Sequence, residues 1–161
     1  FNYNTPKTLY YSIPPAAFIP KSFRLLASEF ADFYIEREGW ASAFQYLGNS
    51  QGFVAPVNLP HGATVTGLKV FLVDNSPTDN LTFELKRRLH EGDFYLSLCT
   101  LTSSGTPGNS NISSTTIGFP VIDNQYYNYT ITAIPAPDAH WSGSELQIKS
   151  VLITYTVPAA D

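Results

Sequence analysis

The chain has 161 residues, a formal net charge of -4 and a sequence pI near 5.2. That length suits one domain able to bury a core without staples, and the acidity excludes the basic face that a nucleic-acid binder needs. Charged residues are only 14% against 43% hydrophobic, so intrinsic disorder is excluded, and no run approaches the roughly 18 apolar residues of a membrane span.

Phe1-Asn-Tyr-Asn-Thr-Pro alternates aromatic and amide side chains with nothing upstream to pair with. It reads as an arm over residues 1–6, with Phe1 and Tyr3 as its anchors, ahead of a sandwich domain over 7–161. The chain holds no Met and starts at Phe1, which predicts removal of a signal peptide and an extracellular or cell-surface location. Leu9, Tyr11 and Ile13 then share one side of a strand near 8–13, which Pro14-Pro15 ends.

Residues 22–38 read two ways. Phe23, Leu26, Phe30, Phe33 and Arg37 recur at helical spacing, with Ser22 as a cap and Gly39 as a stop, and a short helix fits 23–31. Phe33–Glu38 and Ala41–Leu47 instead flank Gly39-Trp40 as a hairpin would, and strand is preferred after residue 32. From Ala55 to Gly62 the chain reads as a turn.

Beyond it, β-branched and aromatic runs predict strands near 64–73, 81–88, 94–101, 113–117, 126–134 and 146–157. Leu81, Phe83 and Leu85 face inward in the second of these, and Tyr127, Tyr129 and Ile131 in the fifth. The connections at 74–80 and 102–111 are strongly turn-forming. With strands near 8–13 and 41–47 the total is about eight. The fold class is all-β, an antiparallel β-sandwich of jelly-roll type, with an immunoglobulin-like order as the competitor.

Enzyme signatures are absent: no Gly-x-Ser-x-Gly elbow, no phosphate-cradling loop, and His90-Glu91 lacks the second His of a zinc helix. His61, His90 and His140 are isolated, and His61 is best read as a turn residue between Pro60 and Gly62. Cys99 stands alone and reads as a small buried hydrophobe. Lys86-Arg87-Arg88 is the one basic cluster, and strand alternation splits it between two faces, so it reads as a solvated strand end.

Three further kinds of site stand out. Asp74 and Asp79, with Asn75 and Asn80, carry the oxygens a hard cation wants, but their spacing fits a solvated turn better, and no metal or cofactor is assigned. Asn80-Leu-Thr, Asn111-Ile-Ser and Asn128-Tyr-Thr are glycosylation sequons. Trp40 and Trp141 are candidates for a sugar-stacking platform. For Trp141 the alternative is a plug at the end of the sandwich, and it carries more weight.

Tyr11–Pro20, Phe53–Thr66, Asp74–Arg87 and Val151–Thr156 resemble a group of exported microbial single-domain β-sandwich proteins, mostly without an assigned function. The resemblance covers nearly the whole chain, with 21–40 departing from it. It implies export and the sandwich fold, and carries no catalytic residues.

Two functions follow as expectations. The first is a non-enzymatic structural subunit of an extracellular filament, sheath or surface layer, forming a homo-oligomer or polymer through strand edges and the arm. The alternative is a carbohydrate-binding module or lectin-like adhesin whose partners are glycans held on exposed aromatics.

Overall fold

Strict alternation in Asn80-Leu-Thr-Phe-Glu-Leu buries Leu81, Phe83 and Leu85 and turns Thr82, Glu84 and Lys86 the other way. Each fully buried Leu or Phe contributes about 1.5–3 kcal/mol relative to exposure, so this pattern fixes which face looks inward. The computed structural model describes residues 5–20, 31–36, 40–45, 52–105, 108–136, 141 and 143–158, with backbone alone at 20, 31–36 and 40–45.

Eleven strands occur among the described residues. They are β1 (Lys7–Ile13), β2 (Ile19–Pro20), β3 (Ala31–Glu36), β4 (Trp40–Gln45), β5 (Phe53–Val57), β6 (Thr64–Asp74), β7 (Asn80–Leu89), β8 (Tyr95–Thr102), β9 (Asn109–Ser114), β10 (Tyr127–Ala136) and β11 (Leu146–Val157). One sheet has the order β3-β4-β11-β6-β9, and the other β2-β5-β10-β7-β8. The long β11 carries β6 along one edge, while its other edge is shared by β4 at Ile148 and by β1 from Val151 to Val157. All pairings are antiparallel, and the core between the sheets is built by side chains such as Phe18, Leu72, Phe83, Ile131, Ile148 and Ile153.

All eight expected strands have a counterpart, and three departures have physical causes. Phe53–Val57 is strand where a turn was expected from Ala55, because Pro56 sits beyond the end of β2, which pairs only with Phe53 and Val54. Pro56 therefore has a partner strand on one side only, which is where a residue without an N–H is tolerated. Pro135 repeats the device on β10, opposite Leu81 and past the end of the β5 pairing at Ala133. β9 begins at Asn109, inside the expected turn region, and ends at Ser114 rather than running over 113–117, since β6 supplies partners from Val73 back to Leu68.

The hairpin reading of 33–47 holds, with Ile35 opposite Ala41 and Glu36 opposite Trp40. The helix expected over 23–31 falls outside the described residues except Ala31, which is strand. Gly52 precedes β5 so closely against β10 that a Cβ there would lie 2.5 Å from the Ala133 carbonyl oxygen. Cys99 is buried as expected, and that burial pushes its thiol pKa up against the opposing effect of a hydrogen bond with Ser114.

The register gives the sandwich two ends. At one, Thr64 lies opposite Thr156 and Leu89 opposite Tyr127; at the other, Asp74 lies opposite Leu146 and Asn80 opposite Ala136.

Candidate functional site

The Trp141 end is closed. Trp141 is 1% exposed, its indole N–H donates to the Leu146 carbonyl at 2.9 Å, and its ring meets Phe53 edge to face at 5.0 Å. It is a plug, which removes it as a sugar platform: a stacked ring needs an open face. Trp40 opens β4, and its side chain lies outside the described residues, as do Phe1, Tyr3 and His140.

The acidic loop at this end is a hydrogen-bonded seam. Asp74 is fully buried, and its Oδ2 accepts from the Ser103 hydroxyl and, at 3.1 Å, from the Gly105 N–H. Ser103 Oγ in turn accepts from the Leu81 N–H at 2.8 Å, while Asn75 Oδ1 accepts from the Gly108 N–H at 2.7 Å. The expected solvated turn holds for Asn75, Pro77 and Thr78, which are exposed, and is corrected for Asp74 and Asp79, which are buried. Its oxygens tie the connection after β8 to the one after β6. No group of three or more His, Cys, Asp or Glu side chains gathers around a metal position among the described residues.

The opposite end is open. Pro60-His61-Gly62-Ala63 forms a tight turn, with the Ala63 N–H donating to Pro60 at 3.1 Å and Gly62 at φ 81°, the positive φ that a type II turn requires. His61 Nδ1 accepts from the Asn124 N–H at 3.1 Å, and His90 Nε2 donates to the Asn124 carbonyl at 3.1 Å. Two histidines isolated in sequence thus hold one turn from both sides, and Asn124 adds a bond from its Nδ2 to Leu59 at 2.9 Å.

Around this scaffold sit rings that the core does not take. Phe94 is 63% exposed, Tyr126 56% and Phe119 49%, and Val121 is exposed between the last two in sequence. Phe94 and Tyr126 flank the end of β7, since their carbonyls accept from the N–H groups of Leu89 and His90. Phe119 stands at φ 47°, a left-handed conformation that costs a non-glycine residue roughly 1–2 kcal/mol. Neighbouring bonds hold it: the Gly118 N–H donates to Leu98 and the Val65 N–H to Pro120, each at 2.8 Å.

Arg87 lies beneath Phe119. Its guanidinium carbon is 4.3 Å from the Phe119 ring centroid and 4.1 Å from that of Tyr127. Its Nε is buried without a hydrogen-bond partner. Alternation did split the basic cluster between faces, but the solvated reading fails for Arg87, because the inward row of β7 carries it between the sheets. On the outward face the Lys86 ammonium lies 4.7 Å from the Tyr95 ring centroid and 3.4 Å from Glu84.

The sequons fall on three strands. Asn111 is exposed on the outer face opposite Phe71, Asn128 is exposed opposite Arg88, and Asn80 is half-buried at the start of β7. Sequence reasoning missed Phe119, Arg87 and Tyr126 as a site; the one available signal was the clustering of Phe119, Tyr126 and Tyr127 in a Gly/Pro/Asn-rich connection.

No family model matches the chain, and no curated protein matches it. Among solved structures it is similar to a mutant of a family 29 carbohydrate-binding module, at 9% identity and a TM-score of 0.48, with 92% of each chain covered. It is also similar to the CBM22-1 and GH10 modules of the Clostridium thermocellum endo-1,4-beta-D-xylanase 10B complexed with xylohexaose. There the identity is 14%, the TM-score 0.49, and the match covers 92% of this chain and 27% of that one. At these values the likeness assigns no function.

Proposed function

We propose that the chain is a carbohydrate-binding β-sandwich that holds a glycan at the open end, on Phe119, Tyr126 and Phe94. The exposure of these rings beside Asn124, Asp123 and Gln125 carries the reading. Sugars present C–H faces that stack on aromatic rings and hydroxyls that bond to amides and carboxylates. A purely apolar protein contact would not call for this mixture, in which Val121 is the one exposed aliphatic side chain among the open residues of the 115–126 connection. The strained backbone at Phe119 adds support, since such strain collects where a side chain must be held in place for a task.

A glycan array followed by calorimetry on the strongest hit tests this. Phe119→Ala and Tyr126→Ala should each weaken binding about tenfold, as truncating an interface anchor does. An array without hits, or hits indifferent to both substitutions, sinks the reading.

A second reading has its own observation. Among the described residues β1 pairs with β11 alone and no strand lies on its other edge, which is the kind of edge a self-associating subunit of a filament, sheath or surface layer would need. Electron microscopy of the intact chain and of one lacking residues 1–6 separates the two. Polymers that vanish with the arm favour assembly, and monomers in both preparations exclude it.

A further inference from the structure

We infer that Arg87 gives the open end a preference for sugars that carry a carboxylate, such as uronates; the assignment rests on glycan binding at that end. A guanidinium offers five N–H donors in a planar fork, and no described residue accepts a hydrogen bond from that of Arg87. Its Nε is buried and orphaned, so the donors that a bound anion can reach are those of the two Nη groups.

Three of the acids in this part of the chain already have partners, and Glu91 is exposed with no cation beside it among the described residues. Glu84 is paired with Lys86, Asp93 lies 3.6 Å from Arg88, and Asp123 accepts from the Gln125 N–H at 3.1 Å with His61 beside it. Arg87 is the one of the three clustered cations with no carboxylate among the described residues.

The geometry also says how an anion would arrive. Phe119 at 4.3 Å and Tyr127 at 4.1 Å lie against the guanidinium, so stacking leaves the edge of the fork as its hydrogen-bonding approach. An anion in the guanidinium plane can take two parallel N–H bonds, the bidentate pairing that suits a carboxylate. Of these two rings, Phe119 also belongs to the proposed platform for the sugar face. One residue would therefore receive stacking and an in-plane ion pair together, a combination that a hexose with a carboxyl group provides and a neutral hexose does not.

The test compares oligogalacturonate with its fully methyl-esterified form by calorimetry at fixed salt. The acid should bind about ten- to a hundredfold more tightly than the ester, the range of a charge-assisted hydrogen bond. Arg87→Gln should bring that ratio close to one, and Arg87→Lys, which keeps the charge and loses the fork, should fall between. Thermal melts of both variants check folding, and the ratio is read only on folded protein, Arg87→Lys serving if Arg87→Gln does not fold. A wild-type ratio near one, or a ratio unchanged in Arg87→Gln, overturns the inference while glycan binding stands. Loss of all binding to acidic and neutral oligosaccharides alike overturns the glycan reading beneath it. Arg87-dependent binding of polyglutamate without any sugar binding overturns both and assigns the fork to acidic peptides.

Discussion

The two ends of one sandwich treat their aromatic residues in opposite ways. At the Trp141 end Phe18, Phe53 and Trp141 are buried, and even a carboxylate, Asp74, is drawn inside and tied to Ser103 and Gly105. At the Phe119 end three rings stay open, while polar groups are spent on shaping turns: His61 and His90 on Asn124, and the Tyr129 hydroxyl on the Asp123 N–H at 2.9 Å. The same sheets make both ends, so the fold does not force rings into solvent. Their exposure is a property of the connections, and it forgoes burial worth about 1.5–3 kcal/mol for a side chain of this size. Among the described residues, rings are covered at one end and left open at the other, and that contrast points to use.

The contrast predicts a division of labour, and its largest test is Trp141→Ala. Truncating a fully buried tryptophan leaves a cavity and orphans the Leu146 carbonyl, which should lower stability by about 3–5 kcal/mol in urea unfolding. Glycan affinity of the protein that remains folded should be unchanged; affinity lost in step with stability would mean that the ends are not independent. Ser103→Ala should come next, at about 1–3 kcal/mol, because it strips a partner from Asp74 and leaves the buried Leu81 N–H without an acceptor. Placing the same truncation at Ser104, which is exposed beside it, should move the urea midpoint hardly at all.

How much of this was legible in the sequence follows the same divide. Alternation in Leu81, Phe83 and Leu85 marked the core strand because period two is local. The turn role of His61 was legible from Pro60 and Gly62 for the same reason. Burial of Trp141 was the favoured reading and the structure agrees, but its contact with Phe53 was not legible, because the two lie far apart in sequence. The open site was harder still. Arg87, Phe119 and Tyr127 lie on three segments, and alternation alone placed Arg87 opposite Lys86 without saying that the inward side would be lined by rings at that level. The strand at Phe53–Val57 was hidden by Pro56, whose tolerance depends on where β2 happens to stop.

Phe119 itself offers a small but sharp test. Phe119 holds a left-handed φ of 47°, a conformation open to glycine at no steric cost. Phe119→Gly removes the ring and its stacking on Arg87, worth about 0.5–1 kcal/mol at an exposed site, and relieves backbone strain of roughly 1–2 kcal/mol. Extra flexibility of glycine in the unfolded chain takes back some of that gain. The net change in unfolding free energy should lie within about 1 kcal/mol of zero, in either direction. Glycan binding should fall as far as in Phe119→Ala, because both lose the platform, whereas Phe119→Ala keeps the strain and should be the less stable of the two. Equal stability of the two variants by thermal melting would show that the left-handed backbone is not what holds Phe119 out over Arg87. Unchanged binding in both would return the open end to an ordinary loop surface, no different in use from the closed one.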